Sequence, residues 1–305
     1  MNYVQLYQAI QDYAENTEAL FVSNIPLFVQ EAEKRIYNSV QLPSLRKNVV
    51  GLSTANNKYL SLPNDWLATY SIAMIDNDGR YTYLLNKDVN FIREAYPSPT
   101  SVGLPKYYAI FGPNTGDFNE LSAMFGPTPD EDYSVELHYY YYPVSIVQGQ
   151  IISLEAPVGG SAYVNGVYAN VPLTGGSGSG VTATIVVTAG TVSDVLLNNG
   201  GSFYNTGDVL TASAASIGGS GAGFSVTVDT ITNVDGTSWL GDNYDPVLFY
   251  GSMREAMLFM KGEADLVSYY EQKYQEALSQ LKRLGDGLER GDAYRDGQTK
   301  LKVDS

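Results

Sequence analysis

The chain has 305 residues, with 33 acidic and 18 basic side chains and a formal net charge of −15. It contains no cysteine and one histidine, His138, which excludes disulfide staples, thiolate chemistry and multi-histidine metal sites. So acidic a chain is a poor binder of the outside of a nucleic-acid duplex, where affinity comes from neutralised phosphates. No stretch approaches the roughly 18 apolar residues of a membrane span, so no membrane contact is expected. The first residues, MNYVQLYQAIQDYAEN, lack the basic region and apolar block of a signal peptide, which points to a cytosol-like compartment.

The chain opens with helical spacing. Tyr3, Leu6, Tyr7, Ile10 and Tyr13 recur every three or four residues behind Asn2, a candidate N-cap. A second helix is expected from about Asn24, where Asn-Ile-Pro places a capping residue just before a first-turn proline. Ile25, Phe28, Val29, Ala32, Ile36 and Val40 form its apolar stripe, with Glu31, Glu33, Lys34 and Arg35 read as lying mainly off it, and Pro43 as the stop. From about Val49 the period shortens to two. Ser71–Ile75, Asp76-Asn-Asp-Gly79 and Arg80–Leu84 read as strand, tight turn and strand. The acidic turn superficially matches the start of a calcium loop, but Asn86 and Lys87 stand where a bidentate glutamate is needed. A short helix over Asn86–Tyr96 and strands at Tyr107–Phe111, Leu121–Phe125 and Val135–Tyr142 complete a small antiparallel sheet region, expected to be a sandwich.

Charge then almost vanishes, and a motif appears twice. Gly159 begins GGSAYVNGVYANVPLTGGSGSGVTATIVV and Gly200 begins GGSFYNTGDVLTASAASIGGSGAGFSVTV, an offset of about forty residues. Each glycine cluster precedes a β-branched run, as turn and strand do. Neither is followed by Lys-Ser/Thr or opens a helix, so a phosphate-binding loop is not supported. Helix returns at Asp245-Pro246, with a first apolar face through Met260 and a longer helix over Glu263–Leu284. Residues 285–305 are rich in Gly, Asp, Arg and Lys and are expected to be extended until bound.

The fold class that follows is α+β: an antiparallel helical bundle formed by both termini (1–48 and 240–284), a small antiparallel β-sandwich (49–150), an inserted Gly-rich all-β repeat domain (151–236) and a C-terminal arm (285–305). Each helical pair has one apolar stripe, so the N-terminal helices must cover the C-terminal ones, and Leu20–Gln41 should meet Val247–Leu281. No catalytic, cofactor or metal residues stand out. Asp130, Glu131 and Asp132 lie in a Pro-rich turn, and His138 in a tyrosine-rich strand is better read as structural. Twenty-five tyrosines fit a protein rich in contact surfaces, or one with many half-buried strand residues.

The order of several segments resembles the head–tail adaptor (connector) family of tailed bacteriophages. The segments are Phe28-Val-Gln-Glu-Ala-Glu-Lys-Arg-Ile36, Leu42-Pro-Ser-Leu-Arg46, Leu60-Ser-Leu-Pro-Asn-Asp65, Gly103-Leu-Pro-Lys-Tyr-Tyr-Ala-Ile110, Phe125-Gly-Pro-Thr-Pro129, the tyrosine strand ending at Pro143, and Tyr270-Glu-Gln-Lys-Tyr-Gln-Glu-Ala-Leu278. They cover about residues 20–148 and 240–297 and leave out the insert. The resemblance implies a non-enzymatic virion protein of the neck, assembled in the host cytoplasm. It implies a ring, usually of twelve copies, between portal and tail tube or nozzle, with DNA passing through the lumen unbound. It also implies that the C-terminal arm docks on the portal, through Arg290, Tyr294, Arg295, Lys300 and Lys302 with Lys282 and Arg283 nearby. The alternative reading is another tail or fibre component whose repeat domain binds a glycan or a second virion protein, and the insert leaves contact with fibres open.

Overall fold

The computed structural model of the protein describes residues 1–40, 42–98, 100–112 and 121–296. Among these it is a mixed α+β structure with six helices and several antiparallel sheets. It divides into two units, Met1–Val40 with Val144–Ser305, and Gln41–Pro143. The first unit starts with α1 (Tyr3–Ala14) and α2 (Ala19–Ser39). The second holds β1 (Arg46–Leu52), β2 (Tyr59–Ser61), β3 (Trp66–Ile75), β4 (Tyr81–Tyr83), β5 (Leu85–Asn86), α3 (Val89–Ala95), β6 (Tyr107–Phe111), β7 (Ser122–Gly126) and β8 (Ser134–Tyr141). The first unit resumes with β9 (Gln150–Leu154), β10 (Val158–Ser161), β11 (Gly166–Pro172), β12 (Thr174–Gly175) and β13 (Ser179–Thr188). It continues through β14 (Thr191–Ser202), β15 (Val209–Thr211), β16 (Ala222–Thr232), α4 (Trp239–Asn243), α5 (Asp245–Phe259) and α6 (Ala264–Asp296).

A capping box opens α1: Asn2 accepts from the Gln5 N–H and Gln5 accepts from the Asn2 N–H, both at 3.0 Å. α2 begins at Ala19, not at Asn24, so Pro26 lies inside the helix instead of at its first turn. An interior proline costs about 3 kcal/mol, and a buried large apolar side chain returns roughly 2–3 kcal/mol. Phe21 supplies that return: it is 1% exposed, with its ring centroid 5.7 Å from Phe28 and 6.4 Å from Phe259. The expected contact between the chain's two ends is present. α2 packs on α5 and α5 on α6, with Phe28 and Phe259 rings 5.1 Å apart. Arg35 pairs with Glu255 at 3.0 Å, and Arg254 joins Glu255 at 2.7 Å and also Glu271 of α6.

α6 runs to Asp296, so residues 285–296 are helical and not extended, while 297–305 lie outside the described residues. The helix was expected to end at about Leu284, with Gly285 and Gly287 just beyond it. A glycine costs only about 1 kcal/mol within a helix, and extending an existing helix needs no new nucleus.

In the second unit β1, β8, β3 and β4 form one sheet in that order, and β2, β7, β6 and β5 another, antiparallel except for β5 beside β6. Ile72, Met74, Val135, Leu137 and Tyr139 from the first sheet share a core with Tyr108, Ala123 and Phe125 from the second. The Asp76–Gly79 segment is the turn between β3 and β4, with the Asp76 carboxylate accepting from the Asp78 and Arg80 N–H groups. The turn expected around Gly112–Gly116 lies, from Pro113 on, outside the described residues.

The repeated tract folds as two halves that exchange strands. In one, Gly159 faces Phe224 and Ser161 faces Ala222; in the other, Gly200 faces Val181 and Ser202 faces Ser179. The same reciprocity holds further along, where Leu154 faces Val228 and Val195 faces Ile185. The repeated tyrosines follow suit. Tyr163 of the first copy lies against Gly221 of the second, and Tyr204 of the second against Gly178 of the first. Alternate residues of β13 (Val181, Ala183, Ile185, Val187) and of β16 (Phe224, Val226, Val228) fill one shared core.

Gly160 (φ +63°) and Gly201 (φ +62°) occupy matching positions where a Cβ would come within 2.4 Å of the Ala222 and Ser179 carbonyl oxygens respectively. Substituting either with valine combines left-handed strain with a backbone clash. Gly160→Val and Gly201→Val should each destabilise the repeat region by at least about 2 kcal/mol. Thermal unfolding should show two similar losses; a loss in only one variant contradicts the reciprocal architecture.

Candidate assembly surfaces

One buried carboxylate joins the helices to the repeat region. Glu33 stands three residues before Ile36 and four after Val29 on α2, so helical geometry places it within the apolar stripe and not off it as the sequence reading had it. It is 3% exposed, and its Oε1 accepts the Ile146 N–H at 2.9 Å. Ser145 also bonds to it. Asn233, where the chain leaves the repeats, donates to the Ser145 carbonyl at 2.7 Å and the Thr237 carbonyl at 2.8 Å. The Tyr3 N–H donates to the Gly236 carbonyl at 2.8 Å. Phe203 from the second GGS turn completes the junction, 5.2 Å from the Tyr3 ring and 5.1 Å from the Tyr7 ring. Burial above all pushes the Glu33 carboxyl up to about 7, against the lowering pull of Ser145 and Ile146.

The tyrosines divide between core and surface. Tyr3, Tyr139, Tyr163, Tyr204 and Tyr274 are buried, whereas Tyr13, Tyr70, Tyr81, Tyr83 and Tyr269 are more than half or about half exposed. In the first unit a cavity of about 400 Å³ is lined by Met1, Ala9, Tyr13, Asp245, Pro246, Phe249 and Tyr250, with Tyr13 edge-on to Phe249 at 5.1 Å. In the second unit the Arg46 guanidinium lies 4.0 Å from the Tyr70 ring centroid and 5.0 Å from that of Tyr140, and donates to the Tyr140 hydroxyl at 2.6 Å.

Of the five docking residues expected from the sequence, Arg290, Tyr294 and Arg295 fall on the last turns of α6, with Arg290 and Tyr294 one turn apart. Lys300 and Lys302 lie outside the described residues. The residues seating the earlier part of α6 are Tyr270, Tyr274, Ala277, Leu278 and Leu281.

The acidic turn serves structure. Asp130 accepts from the Tyr133 hydroxyl at 2.7 Å, Asp132 from the Ala55 N–H at 2.7 Å, and Glu131 from Asn77 at 3.2 Å. His138 Nε2 lies 3.0 Å from Glu136, which also accepts from Asn48 at 2.6 Å. Among the described residues no cluster of three His, Cys, Asp or Glu is placed to hold a metal, and no helix is long and apolar enough to cross a membrane.

Several tyrosines are exposed, the Asp130–Asp132 carboxylates are committed to a turn, and the described chain ends in a long helix. A family model described as SU10 adaptor protein matches residues 1–171, more than half of the chain, and the chain belongs to this family of phage head–tail adaptors. The protein is thus a structural component of the phage virion that meets other virion proteins of the neck. The match runs from α1 through Val171 in β11 and so enters the repeat tract, which the resemblance seen in the sequence had left out. Comparison with curated proteins found no match.

Glu33 makes stability depend on pH with a definite sign. Its folded pKa, about 7, lies above the ordinary 4.5, so its contribution is complete below 4.5 and is lost as pH rises through 7. The loss amounts to about 3 kcal/mol. Glu33→Gln, which stays neutral, should flatten that part of the profile. Denaturant unfolding at a series of pH values between 4.5 and 8 checks this; an equally steep fall in the variant contradicts it.

Proposed function

We propose that the protein is the ring-forming adaptor between portal and tail, a dodecamer that completes the DNA channel. What supports this most is membership of the adaptor family, joined to a long C-terminal helix that runs from Ala264 to Asp296. On this reading residues 285–305 are the arm that docks on the portal, with Arg290, Tyr294, Arg295, Lys300 and Lys302 making its polar contacts. A helical arm already in register has less conformational entropy to lose on docking than an extended one. Residues 286–305 contain four basic and five acidic side chains, so the arm is close to neutral and the excess negative charge lies elsewhere in the chain. An acidic wall along a channel suits DNA that must slide and not adhere.

Truncation after Leu284 keeps the buried Tyr270, Tyr274, Ala277, Leu278 and Leu281 of α6 and removes the proposed arm. The truncated chain should retain its helical circular dichroism and its melting temperature within a few degrees. It should lose co-sedimentation with portal rings by at least about tenfold, the scale of a few lost polar contacts. Undiminished co-sedimentation refutes the docking role.

A further inference from the structure

We propose that the β1–β8–β3–β4 sheet joins one copy of this chain to the next, with β1 of one copy adding to the open edge of β4 in a second. The inference rests on the ring reading and names the surface that builds it. β1 and β4 are the two end strands of the sheet, so among the described residues each has one side without a strand partner. Unpaired strand edges template further pairing, and proteins that keep such edges free protect them with charge, proline or a bulge. β1 carries Arg46 and Lys47 at its start, but its Val49-Val-Gly-Leu52 stretch and the Tyr81-Thr-Tyr83 of β4 contain neither charge nor proline.

The side chains at the two edges match. Register runs Val50, Glu136, Ala73, Tyr83 in one row across the sheet and Leu52, Ser134, Ile75, Tyr81 in the next. Directly paired residues share a face, so these four edge residues all project from the side opposite the core of Leu137, Val135 and Met74. They are strongly exposed: Val50 67%, Leu52 60%, Tyr81 52% and Tyr83 67%. Between the edges, Glu136 is already engaged by Asn48, His138 and the Tyr81 hydroxyl, whose ring remains exposed. The apolar residues left open are those at the borders.

Strand direction selects a second copy as the occupant. All three pairings are antiparallel, so β1 and β4 run in opposite directions. A second copy in the same orientation therefore brings its β1 antiparallel to β4, continuing the alternation. Val50 and Leu52 then fall beside Tyr83 and Tyr81 on one face, and aromatic with β-branched or aliphatic cross-strand pairs are favourable. The two joined edges are different, so the contact is head-to-tail, and such contacts close into rings when the rotation per subunit permits. Pairing of β1 with β1 would instead stop at a dimer.

The native chain has no cysteine, so engineered thiols report only this contact. The full-length double variants Val50→Cys/Tyr83→Cys and Val50→Cys/Tyr81→Cys cover the two registers that keep both residues on one face. All substituted positions are exposed, and circular dichroism verifies each fold. Under mild oxidation at concentrations where sedimentation shows multimers, one double variant should give a covalent ladder above the dimer that collapses on reduction. The single variants should give none. Multimers without a ladder from either double variant overturn this interface and leave the ring standing. Dimers from Val50→Cys alone overturn head-to-tail joining, and a chain monomeric at every concentration overturns both the interface and the ring.

Discussion

The carboxylate of Glu33 is the point on which the first unit depends. It bonds the backbone of Ile146, where the chain enters the repeat tract, and Asn233 binds the same crossing where the chain leaves it. A carboxylate out of water is costly unless hydrogen-bonded, and here the bonds it accepts come from Ile146 and Ser145. Two chain crossings far apart in sequence are therefore fixed to one turn of α2. The aromatic contacts of Phe203 with Tyr3 and Tyr7 extend the attachment to α1. Excising Ile152–Val234 would take Phe203 from that cluster and leave two aromatic rings of α1 facing water.

The reciprocal exchange within the repeats explains why the motif occurs in two copies. The opening strand of each half completes the sheet of the other, so neither half alone can bury its Val, Ile and Tyr residues. The glycines that recur in the motif are the places where the halves come closest. Gly159 approaches the Val192 carbonyl and Gly200 the Ile151 carbonyl, each at a distance that admits no side chain. A GGS-x-Tyr sequence is thus the requirement of two backbones in contact, met twice because the arrangement is close to two-fold. The pairings of β9 and β10 with β16 span more than sixty residues, so closing them costs chain entropy before contacts return it, whereas β13 and β14 form a hairpin.

Much of this was legible from local signals. The Asn2 capping residue, the Asp76–Gly79 turn and the strand runs of the second unit all depend on neighbours within a few residues. What escaped depends on tertiary contact. Pro26 reads as a helix start until the burial of Phe21 is known. The end expected near Leu284 followed from the polar, Gly-rich composition beyond it, because composition carries no information about the helix that precedes it. Glu33 was visible in principle, since its spacing from Val29 and Ile36 sets it in the stripe. Its charge argued for solvent, and only the Ile146 and Ser145 partners reverse that. The strand exchange left no local mark, because a duplicated sequence is equally compatible with two modules in tandem.

The split in tyrosine use ties these features to the work of an adaptor. A subunit must stay soluble before it meets its partners, then bury apolar surface once it does. Net charge of −15 opposes premature association. Tyrosine answers the second need, since its ring is a large rigid contact and its hydroxyl is content in water. The buried set (Tyr139, Tyr163, Tyr204, Tyr274) belongs to the folded chain, while Tyr13, Tyr81, Tyr83 and Tyr269 stay at surfaces. Valine or leucine at all four of those positions would leave larger water-avoiding patches on the free subunit. The same residue type can therefore hold the fold together and keep its surfaces ready, provided charge prevents them from meeting too soon.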